Sequence, residues 1–288
     1  MSSIKDCFTS RFPDGAIVEM DYRQLEIRVL ALATMCPQLI QDINNDIDLH
    51  RYFASQIYNK PQEQVTDSER KLAKGFSFQL QYGAGAKSIS EHWKVSRDLV
   101  EKFIDTYYER YPEVKDWQDK NMEYCRQNNV NLGHRRTESY STSDVDHPVH
   151  TTYVPNIWGF PGPVGSFMLD GSVRQNYKGE MQESFSPTQI KNYPIQGGAA
   201  DIVLLMLTQL HLQGWVCRDH LLFINTVHDS FVFDVAGEVN GVTLREIKDL
   251  LESVPAVLED MFGIVSPVQF PVDVSIGLTW ADQKELTL

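Results

Sequence analysis

The sequence contains few cysteines, and no two of them lie close together. Of its 288 residues four are cysteine, namely Cys7, Cys36, Cys125 and Cys217, and none belongs to a CxxC pair. A disulfide framework or a cysteine-ligated zinc site needs cysteines at closer and more regular spacing. We therefore expect reduced thiols and a cytoplasmic protein, because disulfides persist mainly in oxidising compartments.

Long apolar segments are missing as well. We find no run of the length that a bilayer requires, and the N-terminal segment MSSIKDCFTSRF is too polar for a signal peptide. We therefore expect no association with a membrane. Hydrophobic residues make up 42% of the chain and charged residues 23%, which is ordinary for a folded protein of one large or two small domains.

Positive charge is also scarce. The chain has 26 Lys and Arg residues against 39 Asp and Glu residues, which gives a net charge of −13. Proteins that bind nucleic acid usually have a basic excess, so this balance argues against such a ligand. It does not exclude one, because acids that hold metal ions count as negative and a local basic patch can coexist with an acidic remainder.

The spacing of apolar residues predicts both helices and strands. The predicted helices cover residues 24–34, 46–59, 66–82, much of 88–128, 197–213 and 241–262. The predicted strands are 16–20, a hairpin within 222–235, and 268–276. Residues 129–187 include PNIWGFPGPVG and have few periodic stretches, so they predict an irregular surface insertion with a hairpin.

The segment LFINTVHDSFVFDV, residues 222–235, places a His-Asp pair between two apolar runs. It predicts a hairpin with Asp229 at its tip. An unpaired carboxylate is costly to bury, so a metal ion or a cation should lie nearby. The alternative is an Asp that only forms the turn. Metal-dependent phosphohydrolases of the HD type also use a His-Asp pair, but on a helix, which the strand-like flanks disfavour.

A second carboxylate occupies a similar place in DYRQLEIR. Asp21 lies where an apolar strand gives way to a helix. At a strand end it can face a cleft, although its alternative role is the N-cap of the helix. Two acids at separate strand ends, Asp21 and Asp229, could hold two divalent metal ions for an in-line phosphoryl displacement.

The segment RKLAKGFSFQLQYG predicts a helix with an ordered ridge. Arg70, Lys74, Phe78 and Tyr82 follow one another at steps of four, so they lie along one slowly turning line. Two cations followed by two rings match a nucleoside triphosphate laid along the helix, with the cations at the phosphates. The alternative is an ordinary amphipathic helix with solvated cations. Gly75 weakens this helix and indicates a close approach of its backbone to another group.

These segments, in this order, resemble the family A DNA polymerases, the bacterial polymerase I type, in their phage versions. DYRQLEIRVLA resembles motif A, RKLAKGFSFQLQYGAG resembles motif B, and TVHDSF resembles motif C. KNYPIQGGAADIV and SIGLTWADQKEL resemble two further segments of the family, and the matches run from about residue 8 to the end.

The resemblance implies an α+β fold, the right-hand palm with an antiparallel sheet and packed helices, joined to helical fingers. The implied parts are palm (1–50), fingers (51–128), an irregular insertion (129–187) and palm again (188–288). The resemblance leaves no room for the thumb and the exonuclease in this sequence. We therefore expect one half of a split phage polymerase, located in the cytoplasm of the bacterial host.

The resemblance also implies the catalytic and metal-binding groups. Asp21, the Tyr22 carbonyl and Asp229 would hold two Mg²⁺ ions, with Mn²⁺ as an alternative ion. Lys74 would act as a general acid on the leaving pyrophosphate. Many members of the family have a second acid where this sequence has Ser230, so Asp21 and Asp229 are expected to hold the metals without it.

The remaining implied residues bind the substrates. The groups expected around the incoming dNTP are Tyr22, Gln24, Glu26, His50, Arg70, Lys74, Phe78 and Tyr82. Asn192, Gln196 and His228 are expected to contact the primer-template. Glu26 would lie beneath the sugar and exclude a ribose 2′-OH.

The implied reaction is template-directed addition of dNTPs to a primer 3′-OH. The expected partners are primer-template DNA, dNTPs and a second polymerase chain with exonuclease, thumb and remaining palm, with a processivity factor as a further candidate. Two alternatives stay open: a fragment of a phage-type single-subunit RNA polymerase, which also has a His-Asp-Ser motif C, and an inactive nucleic-acid-binding remnant. The DYxQxE pattern of motif A favours deoxynucleotides over the RNA polymerase alternative.

Overall fold

A computed structural model of the chain describes residues 4–128, 130–134, 148–158, 167–170, 172–175, 181–237 and 241–288. Its contacts divide it into two compact units. The first unit contains the chain up to Leu32 together with Gly198–Leu288, and the second contains Ala33–Gly197. This division follows contacts alone, and the boundaries given above for palm, fingers and insertion remain predictions.

The described residues form both helices and strands. The helices are α1 (Leu25–Thr34), α2 (Pro37–Asn44), α3 (Leu49–Tyr58), α4 (Asp67–Gln81), α5 (Ala86–Trp93), α6 (Arg97–Arg110), α7 (Pro112–Gln127), α8 (Pro187–Leu212), α9 (Gly241–Glu252) and α10 (Val254–Phe262). The strands are β1 (Ala16–Tyr22), β2 (Val130–His134), β3 (Pro148–Val154), β4 (Phe167–Asp170), β5 (Ser172–Gln175), β6 (Met181–Ser184), β7 (Cys217–Arg218), β8 (Leu221–Val227), β9 (Ser230–Val235), β10 (Val272–Gly277) and β11 (Lys284–Glu285).

The first unit is built on a six-stranded sheet in the order β11-β10-β1-β9-β8-β7. All of its pairings are antiparallel. β1 lies in the middle, between β9 and β10, and β9 is buried along its whole length. The expected α+β class, with an antiparallel sheet and packed helices, is confirmed. The core of this unit is apolar and includes Ile17, Val18, Met20, Leu25, Phe231, Phe233, Leu251 and Leu258.

The second unit is mainly helical. An aromatic cluster lies between α3, α4, α6 and the start of α7, where Phe53 packs against Phe103, Tyr107 and Tyr111 at centroid distances of 5.4–5.9 Å. The pairs with Phe103 and Tyr111 are edge-to-face, an arrangement that adds to the free energy gained by burial. Asp42 is buried beside this cluster, where it accepts hydrogen bonds from Arg110 and from the Tyr111 hydroxyl.

The insertion has regular structure in its described part. β2, β3 and β4 form a three-stranded sheet, and β5 pairs with β6 as a hairpin. All of these pairings are antiparallel. A hairpin within residues 129–187 is therefore confirmed, while PNIWGFPGPVG lies partly outside the described residues.

Several predicted boundaries were wrong. The helix predicted from residue 197 begins ten residues earlier, at Pro187, and continues through Pro194 and two glycines. The helix predicted over 241–262 is two helices, because Ser253 ends α9 and Pro255 lies in the first turn of α10. Pro37 ends the predicted first helix but also begins α2, since proline is favoured in the first turn of a helix.

The length of α8 also bears on the expected absence of a membrane segment. Among the described residues, α8 is one helix that is long and apolar enough to cross a membrane by length and composition. This is weak evidence, because core helices of globular proteins pass the same test, and the side chains of Ile202, Met206 and Leu210 on α8 are buried. The expected absence of membrane association stays a prediction.

Candidate active site

The hairpin predicted within residues 222–235, the segment that contains TVHDSF, is present. Val227 of β8 pairs with Ser230 of β9, so His228 and Asp229 form a two-residue turn. His228 has a positive φ of 56°, a conformation that costs a residue with a side chain about 1 kcal/mol. His228 is exposed and Asp229 is half-buried at the tip. Strained turns of this kind often occur at functional sites.

Asp21 lies directly beside this turn. It is paired with Ser230 on one side and with Asp273 of β10 on the other. The next residue of β1, Tyr22, donates its backbone N–H to the Asp229 carbonyl at 3.1 Å. The carboxyls of Asp21 and Asp229 lie close enough to share a proton. The predicted meeting of these two acids, 208 residues apart in the sequence, is therefore seen in the first unit.

The surroundings of Asp21 disfavour its ionised form. Withdrawal from bulk water and then the negative charge of Asp229, followed by those of Glu19 and Asp273, raise the pKa of Asp21 to about 7. Asp21 is still partly exposed to water. Burial alone therefore does not account for its raised pKa, and the neighbouring negative charges contribute to it. Two carboxylates at contact distance cannot both ionise freely near neutral pH. A cation between them would remove this repulsion.

Glu19 and Asp273 were not foreseen as neighbours of the site. Glu19 lies two residues before Asp21 on the same face of β1, and it accepts a hydrogen bond from the Ser230 hydroxyl at 3.0 Å. Asp273 forms an ion pair with Arg23, whose Nε lies 2.9 Å and 3.0 Å from the two carboxylate oxygens. The alternation of strand residues could have indicated Glu19, since positions two apart share one face of a strand.

The turn after β1 fixes the start of α1. Gln24 has a positive φ of 53°, and the buried Arg28 donates to the backbone carbonyls of Arg23 and Gln269, at 2.7 Å each. Glu26 lies half-buried in the first turn of α1. The Tyr22 hydroxyl donates to the Leu251 carbonyl at 2.6 Å. The side chain of Tyr22 is therefore structural, which leaves its backbone carbonyl for the role predicted above.

The ridge predicted on α4 is present in the second unit. Thr66 caps the helix, and together with Glu69 it forms a capping box. The Lys74 ammonium lies 5.6 Å from the Phe78 ring centroid, and the Phe78 and Tyr82 rings are 6.4 Å apart. Arg70 lies one turn before Lys74 and is ion-paired to Asp48 at 2.7 Å. Two cations and two rings thus follow each other along one side of α4.

His50 lies against this ridge. Its ring is 6.2 Å from that of Phe78, and its Nδ1 is buried without a hydrogen-bond partner in the described residues. Burial first, and the positive charge of Lys74 second, lower the pKa of His50 to about 4. The imidazole is therefore neutral at physiological pH, and an unsatisfied ring nitrogen is free to bond to a ligand.

Glycines explain the path of α4. A Cβ atom on Gly75 would overlap the indole of Trp93, so the predicted close approach of the helix backbone is made by a side chain of α5. After Tyr82 the chain turns at Gly83, whose φ is 77°. A Cβ on Gly83 would come within 2.7 Å of Thr188 Cα at the start of α8. Gly83 therefore ends α4 and permits contact with α8.

The residues expected at the primer-template lie in two places. Asn192 and Gln196 are one turn apart on α8 in the second unit, half-buried and exposed respectively. They are helical, and the expectation that they precede the helix was wrong. His228 lies at the hairpin of the first unit.

The donor set at Asp21 and Asp229 fits a divalent metal ion. Mg²⁺ takes oxygen ligands and often uses one or two carboxylates together with water and substrate phosphates. The two carboxyls in contact and the backbone carbonyl of Tyr22 provide such oxygens. Within the described part of the chain no group of three or more His, Cys, Asp or Glu residues is arranged to hold a metal. Further ligands would have to come from substrate and solvent.

Comparison with known proteins identifies the family of the chain. The family model described as DNA polymerase family A matches residues 1–282. DNA polymerase I of Geobacillus stearothermophilus is 27% identical over 283 residues, which are 98% of this chain and 28% of that protein. The DNA polymerase of Bacillus phage SP01 is 26% identical over 293 residues, 99% of this chain and 28% of that protein. The chain thus spans about 28% of the length of these relatives.

A solved structure has the same fold. It is described as the POL domain of Pol1 from M. smegmatis in complex with DNA primer-template and dNTP, and it superposes with a TM-score of 0.64 at 22% identity. The likeness covers 96% of this chain and 42% of that one. At this identity the likeness establishes the α+β polymerase fold. Because the family model covers nearly the whole sequence, the chain belongs to DNA polymerase family A.

Proposed function

We propose that this chain is a catalytic subunit of a DNA-directed DNA polymerase that adds dNTPs to a primer 3′-OH under the direction of a template. The observation that carries the proposal is the contact between Asp21 and Asp229 at the central strand and the motif C hairpin. Membership of family A supports it over a single-subunit RNA polymerase. The cation-and-ring ridge on α4 supports a nucleoside triphosphate as substrate.

The proposed reaction uses the two carboxylates as an anchor for Mg²⁺, or Mn²⁺ in its place. Asp21, Asp229 and the Tyr22 carbonyl would hold two ions, which when bound lower the pKa of the primer hydroxyl and neutralise the leaving pyrophosphate. The protein contributes a fixed geometry, because β1 is held between two strands and the turn at His228 is strained. The carboxylates therefore need little reorganisation when substrate arrives.

The proposed nucleotide site lies along α4. Arg70 and Lys74 bind the triphosphate, and Lys74 donates a proton to the pyrophosphate as it leaves. His50, neutral and with one nitrogen unsatisfied, accepts or donates a hydrogen bond there. Phe78 packs on the incoming nucleotide and Tyr82 stacks near the templating base.

The remaining proposed contacts select and hold the substrates. Glu26 and Gln24 face the sugar, and Glu26 excludes a ribose 2′-OH. Asn192, Gln196 and His228 contact the primer-template. Groups that read the minor-groove side of a base pair find acceptors common to all pairs, so they respond to its shape and not to its sequence.

We further propose that the chain is one half of a split phage polymerase. Its relatives are about three and a half times longer, and a phage polymerase is among them. A second chain would supply exonuclease, thumb and the rest of the palm, and a processivity factor could join the complex. A partner that grips the duplex would also account for the net charge of −13, which is unusual for a protein that holds DNA alone.

Primer extension tests the proposal. The purified chain is incubated with primer-template, Mg²⁺ and either dNTPs or rNTPs, alone and with an extract of its natural host cells. We expect extension with dNTPs, weak for the chain alone and stronger with the extract. Processive synthesis by the chain alone would contradict the split arrangement, and extension with rNTPs only would indicate an RNA polymerase.

Two matched variants complete the test, one at the proposed metal site and one control. Asp229→Asn is expected to abolish extension, by about a thousandfold or more, without unfolding the chain. Asp219→Asn changes an exposed carboxylate in the turn between β7 and β8, at the other end of β8, and should leave the rate unchanged. No extension by the wild-type chain under any condition would identify an inactive remnant.

A further inference from the structure

Arg70 is held in place by a carboxylate that belongs to another helix. Its Nε donates to Oδ2 of Asp48 at 2.7 Å, and both side chains are about two-thirds withdrawn from solvent, with 39% and 35% of their surfaces exposed. Within the described residues the two terminal nitrogens of Arg70 make no hydrogen bond. The contact therefore uses one donor of the guanidinium and leaves the other four, which form the end of the fork.

Asp48 is itself fixed. It is the N-cap of α3, and its Oδ1 accepts the backbone N–H of Arg51 at 3.0 Å. Each oxygen of the carboxylate thus has its own hydrogen-bond donor, one on α3 and one on α4, and Nε of Arg51 also lies 3.7 Å from Oδ2. Burial disfavours the charge, but the hydrogen bonds from Arg70 and from the Arg51 backbone outweigh it, so the pKa of Asp48 lies below its ordinary value. The carboxylate remains ionised at neutral pH.

His50 lies close to Asp48 in the chain. His50 follows Asp48 by two residues in the first turn of α3, and its ring lies 6.2 Å from Phe78 on α4. The Asp48 carboxylate therefore joins the beginning of the helix that bears His50 to the helix that bears Arg70 and Lys74. These are the three groups that the proposed function places at the triphosphate.

A long arginine side chain loses conformational freedom when it binds phosphate, and this loss opposes binding. A charge-assisted hydrogen bond at Nε removes much of that freedom beforehand and turns the planar fork in one direction. Affinity rises when such a cost is met before the ligand arrives. Asp48 restrains Arg70 in this way, because it binds Nε and leaves the two terminal nitrogens of the guanidinium for a ligand.

We propose that Asp48 is a positioning residue that orients Arg70 for the phosphates of the incoming nucleotide; this rests on the function proposed above. Asp48 touches neither substrate nor reacting atoms. It acts through Arg70 and by fixing the start of α3. A competing arrangement is a latch, in which the carboxylate occupies Arg70 and must release it before phosphate binds. The two arrangements predict opposite effects of removing the charge.

The test measures binding of Mg²⁺–dATP to the full chain with primer-template, by equilibrium dialysis. Asp48→Asn removes the charge but keeps a side chain that caps helices equally well. We expect about tenfold weaker binding, with an unchanged melting temperature. Combined with Arg70→Ala, the same substitution should change binding less than about twofold, because the group that it orients is gone. Asp98→Asn, in the exposed first turn of α6, is the matched control and should bind as the wild type does.

The outcomes separate the alternatives. Tighter binding by Asp48→Asn would establish the latch and overturn the proposal. Equal losses with and without Arg70, together with a lower melting temperature, would show a role in folding alone and would overturn it as well. If Arg70→Ala weakens binding and Asp48→Asn does not, the positioning role fails while the proposed function stands. A wild-type chain that binds no dATP would remove both.

Discussion

The Ser230 hydroxyl donates a hydrogen bond to Oε1 of Glu19 at 3.0 Å, although the two residues are 211 positions apart in the chain. Ser230 is buried and lies opposite Asp21 in the ladder, and Glu19 lies on the same face as Asp21. A carboxylate therefore stands next to the proposed metal ligands even though position 230 has no acid. It comes from the neighbouring strand and is held there by the hydroxyl.

The first prediction concerns this hydrogen bond. Ser230→Ala should lower the free energy of unfolding by about 1–2 kcal/mol, because the bond has a charged acceptor and a buried donor. A double-mutant cycle with Glu19→Ala, followed by urea denaturation, should give a coupling energy of about 1 kcal/mol. Ser275→Ala, which loses a bond to the neutral Gln283, is the control and should cost less. A coupling energy near zero would contradict the prediction.

The second prediction concerns pH. The folded chain holds the pKa of Asp21 at about 7, above its ordinary 3.8, so the folded state binds the proton more tightly. Stability from this group is present below pH 3.8 and is lost as the pH rises to about 7. Without metal, Asp21→Asn should therefore stabilise the chain at pH 8, by on the order of 1 kcal/mol after screening by solvent.

Urea titrations at pH 5 and pH 8, in the presence of a chelator, measure this effect. The increase in the free energy of unfolding caused by Asp21→Asn should be larger at pH 8, because Asp21 is mostly ionised there and its charge destabilises the folded state. Asp219→Asn provides the comparison at an exposed position. A gain that is equal at both pH values would show that the repulsion at Asp21 is not its cause.

The third prediction concerns the choice of sugar. Glu26→Ala should admit ribonucleotides, because it removes the side chain that is expected beneath the sugar in the first turn of α1. Discrimination between dNTP and rNTP should fall by about tenfold to a hundredfold in single-nucleotide incorporation. Glu26→Gln keeps the size of the side chain and should retain most of the selectivity. Equal loss by both variants would assign selectivity to the charge and not to the volume.

The fourth prediction concerns Gly75. Alanine at an interior helix position is ordinarily favoured over glycine by about 1 kcal/mol. Here its Cβ would overlap the indole of Trp93, so Gly75→Ala should be destabilising, by about 1–3 kcal/mol. In a Trp93→Ala background the same substitution should become stabilising. Thermal unfolding of the four chains would show this change of sign, and its absence would refute the packing argument.

The sequence predicted those parts of the site that depend on local pattern. The hairpin around Asp229 follows from the two apolar runs that flank a His-Asp pair, the ridge from Arg70 to Tyr82 follows from steps of four, and both are present. The meeting of Asp21 and Asp229 needed more than pattern, because nothing local fixes the order of strands in a sheet. The position of both acids at strand ends suggested it, and the resemblance to a family with a known arrangement made it an expectation.

Other features could not be predicted for physical reasons. Asp48 has the sequence of an N-cap, and its second bond, to Arg70, depends on how α3 packs against α4. The early start of α8 was hidden by Pro194 and by Gly197-Gly198, which lower helix propensity locally but are overridden by burial of Ile190, Ile195 and Ala199. The boundary between α9 and α10 was lost because apolar spacing continues across it.

The position of β1 between two partners also limits how this site can change over time. Asp21 faces Ser230 on one side and Asp273 on the other, and both registers are fixed along the whole strand. One residue gained or lost within Ala16–Tyr22 would turn Asp21 to the opposite face and bring Met20 or Tyr22 in its place. Substitutions beside the carboxylates can be compensated from a neighbouring strand, as at Glu19 and Ser230. An insertion or a deletion within β1 cannot be compensated in this way. We therefore expect natural insertions and deletions in loops and not in this strand.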